Sequence, residues 1–472
     1  MPNPTCLCSS ASRSKFLTEV WVTFKNAVPI SLTYLVQNSL QTSSIFLCGR
    51  LAGQEALSVA AISYMWIMVT AGCIAFGGTT ALDTMASTSF TASHDIHQVG
   101  ILLQRAMLSL TIIYLPFGVS WWFMETILLA LGQDPKLSQD TEAFMKILSF
   151  GMLPYIWFEA VKKFLQVQGI MHASTIVLVV VSPINVFLNW FCISKLELGF
   201  RGAALGTMIT YWLAFLMICV LGKTMGGGKA WGGWSRQCFK SLWPMFKLSI
   251  SGFVMVGTEW WAFEIVALLA GKVSVKAIEA QSVIMTLDQI SATLPFGVGV
   301  SASARIGHLL GARQPNRARC AGSAAVFLAT LVGGSVTILL MSNRNRFGSF
   351  FTKDDEVIRL VTDVLPYVAA FQIADGWAQS CGGTLRGVGL QHVGAIVNII
   401  AYYLIALPLG IALAFWASMG LPGLWLGQCV ALFLVGITEF TIIKSIKWAD
   451  EVDRAVERLG SEALDIAPSL SI

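Results

Sequence analysis

The chain is short of charge. Only 12% of its 472 residues are Asp, Glu, Lys or Arg, about half the roughly 25% of soluble domains. A deficit of that size over so long a chain excludes an ordinary cytosolic enzyme, a disordered tail and a nucleic-acid binder. Histidine is scarcer: the five (His94, His97, His172, His308 and His392) fall in loops or at the ends of apolar blocks. They form neither a metal cluster nor an intramembrane base. No G-x-x-x-x-G-K-S/T loop occurs, so the chain carries no ATPase of its own and its work must draw on a gradient. Residues 1–25 lack an apolar core and a small-residue cleavage site, so no cleavable signal peptide is expected and the first apolar helix directs insertion. Zinc-like cysteine spacing is also missing. Cys48, Cys73, Cys192, Cys219, Cys381 and Cys429 lie inside apolar blocks, where thiols act as small hydrophobes. Cys6 and Cys8 stand in a polar tail with no second pair nearby.

What is abundant is apolar: 55% of residues, with 42 glycines and 16 tryptophans, a composition suited to close helix packing and interfacial anchoring in a bilayer. The net charge of +5 is spread between apolar blocks and points to no polyanionic partner. A bilayer-spanning helix needs about 20 mostly apolar residues. Such blocks fall near 27–48, 57–80, 99–123, 143–163, 173–195 and 202–222, then near 249–270, 277–301, 319–341, 360–382, 393–416 and 422–444. The expected fold is an all-α integral membrane protein of about twelve spans. Basic residues in short loops set orientation. Lys162, Lys163, Lys223, Lys240, Arg305, Arg313, Arg386 and Lys444 all fall on the side of an inside N-terminus, and few, such as Arg50, Arg201 and Lys353, on the other. Both termini are therefore expected in the cytoplasm.

The chain repeats itself. Gly199-Phe-Arg-Gly202-Ala-Ala-Leu-Gly206 matches Gly420-Leu-Pro-Gly423-Leu-Trp-Leu-Gly427 at an offset of 221, and Gly169 and Gly389 stand 220 apart. Six crossings per copy give both copies one orientation, with the pseudo-symmetry axis along the membrane normal. The expected organisation is an N-terminal tail (1–25), a first lobe (26–223), a cytoplasmic linker containing Gly226 to Trp234 (224–247), a second lobe (248–446) and a C-terminal tail (447–472).

An ionisable side chain at membrane depth costs several kcal/mol unless paired or hydrated, and so marks a functional site by default. Asp83, Glu159, Glu259, Glu264, Asp288, Asp375 and Glu439 qualify. Asp83 and Glu439 sit near span ends and read as interfacial or capping groups; Glu159, followed by Lys162 and Lys163, reads as a helix-face ion pair at the membrane edge. Asp288 has no Lys or Arg within a turn. Glu259 and Glu264 flank Trp260 and Trp261, and Asp375 precedes Trp377; aromatic faces attract organic cations. A negative site with two competing positive ligands, proton and cation, is the simplest physics of antiport. Gln37, Asn38, Asn185, Asn189, Gln281 and Asn398 are expected to hydrogen-bond across the bundle, Gln37 being also a candidate wall residue beside Asp288.

These motifs resemble the multidrug and toxic compound extrusion (MATE) family, in its eukaryotic branch. Glu259-Trp-Trp-Ala-Phe-Glu264 is similar to the family's seventh-helix E-W-W-A/S-Y/F-E, and Asp375-Gly-Trp-Ala-Gln379 with Arg386-Gly-Val-Gly389 to its tenth-helix pattern. Ala81-Leu-Asp83-Thr84, Gly132-Gln-Asp134-Pro135 and Arg305-Ile-Gly-His308 fit as well. Thr88 stands where the family usually has Gln, Thr91 where it has Gly and His308 where it has Asn; the eighth-helix Glu of animal members aligns with Thr286 and is not carried over. The resemblance implies two six-helix bundles around a central V-shaped cavity. It also implies export of small organic, cationic or amphiphilic compounds in exchange for protons, or sodium in some members, by alternating access, without a further cofactor.

The family's carboxylates map onto Glu259, Glu264 and Asp375, with Glu264 and Asp375 expected to lead proton and substrate exchange and Trp260, Trp261 and Trp377 to line the wall. A single chain supplies both lobes and is expected to suffice, in the plasma membrane or alternatively a vacuolar or other endomembrane. Two rivals stand beside this reading. A flippase for lipid-linked substrates would need a more basic cavity, and buried basic residues are expected to be scarce. A membrane-embedded aspartyl protease would need Tyr-Asp and Gly-x-Gly-Asp motifs, which are absent from the sequence.

Overall fold

The computed structural model describes residues 10–93, 95–351 and 354–459; Cys6, Cys8, His94 and Lys353 lie outside them. The described chain is helical, without strands. Twelve long helical stretches follow one another. The first six are α1 (Ser10–Ala52), α2 (Gln54–Ala92), α3 (His97–Ala130), α4 (Pro135–Val167), α5 (His172–Lys195) and α6 (Gly199–Thr224). The second six are α7 (Leu242–Val273), α8 (Val275–Gly311), α9 (Pro315–Ser342), α10 (Asp355–Val388), α11 (Gln391–Trp416) and α12 (Leu421–Ser445). A short α13 (Trp448–Glu457) closes the series. Eleven helices, α2 to α12, are long and apolar enough to cross a membrane. α1, with 43 residues, has the length for a twelfth, but the polar run from Gln37 to Ser44 lowers its hydropathy.

Helix boundaries follow from local chemistry. Asp134 caps α4, accepting a hydrogen bond at 3.0 Å from the Leu137 N–H, with Pro135 in the first turn. Asp354 caps α10 in the same way, from Glu356 and Val357. Gly169 and Gly389 leave α4 and α10 at φ 80° and 86°, the left-handed exit that costs glycine nothing. These pairs stand 220 apart. At an offset of 221, α5 and α11 both end in wide π-turns, Phe191–Lys195 and Ala412–Trp416. After them, Gly202 of α6 reaches the Cys192 backbone and Gly423 of α12 reaches that of Leu413. The duplication read from glycine spacing is thus carried by the backbone.

The chain forms two compact units. One, here the C unit, takes Thr258–Glu457 together with α1 as far as Ser31; the other, the N unit, takes Leu32–Gly257. The partition differs from the expected lobes, because it cuts α1 and α7 within their lengths. In the C unit the start of α1 lies along α8: Glu19 pairs with Arg305 and Arg317 at 2.8 Å, Ser301 Oγ donates to the Thr23 carbonyl at 3.1 Å, and a Cβ at Gly297 would collide with Ser31. Residues 10–25 are therefore helix, packed through Glu19 and Thr23, where a tail is expected from the sequence. In the N unit the start of α7 meets α2 and α3, with the backbones of Gly77 and Gly252 in contact and Phe117 and Phe253 rings 5.6 Å apart.

Two further segments differ from expectation. The linker between repeats is docked on α3: Gln104 donates to the Gly233 carbonyl at 2.8 Å and accepts from the Ser235 N–H at 3.0 Å, and Arg105 donates to the Gln237 carbonyl at 3.1 Å. The tail after 447 begins with α13, whose Trp448, Val452 and Ala455 bury against Ile306, Leu309 and Leu310 of α8 and Ala318 and Ala321 of α9. Its apolar Trp448, Ala449, Val452, Ala455 and Val456 recur at helical spacing, over a run too short for a span.

Candidate transport site

In the C unit, α10 is held against its neighbours by glycine. Cβ atoms at Gly299 of α8 and Gly383 of α10 would strike the opposing backbone, at Gln379 and Gly299 respectively. Gly333 of α9 and Gly436 of α12 give similar close approaches to Gln372 and Trp377. This packing sets one face of α10 towards α7 and α8. On it the Gln379 side-chain amide donates to Glu259 Oε1 of α7 and to Asp375 Oδ1, each at 3.3 Å. Asp375 is 3% exposed, and its Oδ2 has no hydrogen-bond partner among the described residues. One turn before it on α10, Gln372 donates to Asp288 Oδ1 of α8 at 2.9 Å. Glu259 and Asp288 both lie within electrostatic range of Asp375.

Glu259, Asp288 and Asp375 thus come together. Glu264 does not join them: it is half-buried on α7, about 140° around the helix from Glu259, and none of the described polar contacts reaches it. Trp260 and Trp261 are also half-buried on α7. Trp377, two residues beyond Asp375, turns to the other side of α10; its indole N–H donates to Thr330 of α9 at 2.8 Å and its ring meets Phe433 of α12. A step of two residues is about 200° around a helix, so sequence adjacency to Asp375 overstated its proximity.

Gln37 belongs to a second cluster, in the N unit. Its amide N–H donates to Glu159 Oε1 at 2.9 Å and to the Tyr155 hydroxyl, and its carbonyl accepts from Lys162 Nζ at 3.1 Å. Glu159 and Lys162 form an ion pair at 2.6 Å with both side chains fully buried. Lys163 does not share Glu159; it pairs with Asp83 of α2 at 2.7 Å, also buried. The Glu159 pair is therefore real but lies in the core of its unit, and Asp83 is an ion-pair partner and not a cap. Lys162, Lys163, Arg105 and Arg386 are all at most 4% exposed, more buried bases than the sequence reading allowed. Glu439 of α12 is wholly buried and neither carboxylate oxygen has a hydrogen-bond partner among the described residues, so it is no interfacial group.

Sequence reasoning missed Gln372, Gln379 and the partition of the two lysines. Asp375 and Gln379 share a helix face at i,i+4, a signal within reach. The 220 offset also sets Tyr155 against Asp375 and Glu159 against Gln379, so the two polar clusters occupy corresponding positions of the repeat. Asn185 and Asn189 bridge α5 to Ser44 of α1, and Gln281 of α8 accepts from the Trp425 indole at 2.7 Å, the structural role expected of buried amides. No group of His, Cys, Asp and Glu able to hold a metal ion occurs among the described residues.

The chain matches the MatE family model over residues 29–191 and 253–412, once in each repeat. It is 36% identical to an uncharacterized transporter of Schizosaccharomyces pombe over 93% of this chain and 81% of the relative. It is 32% identical to multidrug and toxin extrusion protein 1 of Homo sapiens over 96% of this chain and 81% of that one. In structure it is similar to the eukaryotic MATE transporter AtDTX14, with a TM-score of 0.87 and 27% identity, covering 94% of this chain and 100% of that one. Helices, repeat and matches define an integral, multi-pass membrane transporter and not an enzyme. The chain belongs to the multidrug and toxic compound extrusion (MATE) family, in its eukaryotic branch.

Proposed function

We propose that the protein is a proton-coupled antiporter that exports small organic compounds, cationic or amphiphilic, by alternating access. The observation that carries this reading is the amide of Gln379 holding Glu259 and Asp375 together in the C unit, with the second Asp375 oxygen left open. A buried carboxylate group with an open oxygen takes either a proton or a cation, and the two compete for it. Glu259 and Asp375 form the centre of exchange, Asp288 adds negative charge beside them, and Glu264, further along α7, meets substrate separately. The names of the mammalian relatives support the substrate class, as multidrug and toxin extrusion proteins. The bias of Lys and Arg supports cytoplasmic termini, and the plasma membrane is the membrane we propose. One chain carries both repeats and acts as a monomer. Protons are the coupling ion we favour over sodium.

The buried lysines of the N unit do not favour a flippase, because Lys162 and Lys163 are each neutralised by a carboxylate. The test is uptake of a fluorescent organic cation into proteoliposomes under an imposed outward proton gradient, with wild type beside Asp375→Asn, Glu259→Gln and Glu264→Gln. Gradient-driven uptake lost in Asp375→Asn and Glu259→Gln supports the reading; uptake that persists in both moves the exchange site elsewhere.

A further inference from the structure

The N unit holds a cation already, and it is the chain's own. The Lys162 ammonium lies 4.1 Å from the centre of the Tyr34 ring, with Phe158 at 5.8 Å and Phe76 at 6.0 Å. Glu159 faces it at 2.6 Å and the Gln37 carbonyl at 3.1 Å. All five lining side chains are buried, none more than 8% exposed. Aromatic faces, one carboxylate and one carbonyl around a desolvated ammonium are the elements that recognise an alkylammonium ion, and the aromatic part is strongest when water is excluded. In the other repeat, the 220 offset that relates Asp134 to Asp354 sets Gly382 against Lys162. There no lysine stands on α10; its buried base is Arg386, two turns beyond Gln379 and within electrostatic range of Glu259.

We propose that Lys162 is a tethered occupant of an alkylammonium site and thereby determines specificity: it fills the N-unit cage and confines exchange of organic cations to the C unit. The inference rests on the reading that such cations are the substrates, and extends it to why one repeat and not the other exchanges them. Glu159 is neutralised by a covalently attached cation whose effective concentration no free ligand matches. Removing the side chain beyond Cβ leaves a space shaped for three methylene-type carbons and an ammonium, the shape of n-propylammonium.

The test is equilibrium binding of n-propylammonium to the purified full chain by titration calorimetry, with no gradient, so that a failure of antiport cannot be mistaken for a failure here. Lys162→Ala is expected to gain one site per chain over wild type, binding at least about tenfold tighter than any site in wild type. Lys162→Met, which refills the space without charge, gains none. Adding Glu159→Gln to Lys162→Ala removes the new site. A folded Lys162→Ala that gains no site, or a site that survives Glu159→Gln, overturns the proposal. Because a bare buried Glu159 is itself destabilising, Lys162→Ala is also prepared with and without n-propylammonium. Recovery only in its presence supports the proposal, and recovery in neither condition overturns it.

Discussion

Glu197 and Ser418, 221 positions apart, hold the same left-handed backbone, with φ at 53° and 54°. Both follow a π-turn and precede a glycine that also has positive φ, Gly199 at 55° and Gly420 at 62°. The two repeats therefore turn from one helix into the next by the same backbone path. A Cβ at Gly199 would meet nothing within 4 Å, and one at Gly420 only Val273 at 3.5 Å, so glycine is needed there for its dihedral angles and not for space. Gly199→Ala and Gly420→Ala should each cost about 1–2 kcal/mol, by nearly equal amounts, as read by thermal unfolding in detergent. A cost confined to one of the two would break the equivalence.

The Asp83–Lys163 pair joins α2 to α4 with both side chains buried. Breaking such a pair leaves a charge without its partner and costs about 3–5 kcal/mol, whereas replacing both partners together costs far less. Lys163→Met should therefore destabilise strongly, and Asp83→Asn introduced with it should restore most of the loss. Unfolding of the two single variants and the double variant closes the cycle.

Gly299 and Gly383 let α8 and α10 touch at backbone distance, one turn from Gln379. Gly383→Ala has no flexible side chain to displace, since the obstacle is the Gly299 carbonyl. Overpacking of this kind costs about 1–3 kcal/mol, and moving α10 also shifts Gln379 away from Glu259. Uptake measured beside unfolding should fall in Gly383→Ala even at temperatures where the variant stays folded.

Outside the spans, Asp354 caps α10 and also accepts from Lys276 of α8. The Lys276 hydrogen bond, followed by the backbone N–H groups of Val357 and Glu356, holds its carboxyl below the usual aspartate range. Its folded form thus binds a proton less readily than the unfolded chain. The stability it contributes is present above about pH 4, where unfolded aspartate has lost its proton, and disappears as pH falls through the lowered value. Melting temperatures followed from pH 6 downward should show an acid-side decline that is shallower in Asp354→Asn.

Much of this was legible in the sequence because it is written in repeating or bulky signals. Twelve apolar blocks, the glycine spacing of 199–206 against 420–427, and the candidate carboxylates Glu264, Asp375 and Glu259 are read from composition, membrane depth and motif, although the structure sets Glu264 apart from the other two. The rest depends on which way a side chain turns. Lys162 and Lys163 are adjacent, and only the rotation of α4 sends one to Glu159 and the other to Asp83. Trp377 stands beside Asp375 in sequence and across the helix from it in space. Glu439, six residues from the end of α12, is wholly buried, which no local pattern announces. The partition at Ser31 and Gly257 cuts α1 and α7 within continuous helices, and no change of composition marks it.

The most direct test of the account is whether substrate entry expels protons through Asp375. Proteoliposomes carrying a pH-sensitive dye in the lumen are given an organic cation outside, with no gradient imposed. Wild-type protein should make the lumen alkaline as the cation accumulates, and Asp375→Asn should do neither. Cation accumulation without a change in lumenal pH, or alkalinisation by Asp375→Asn at the wild-type rate, would contradict proton exchange at the Glu259–Asp375 site.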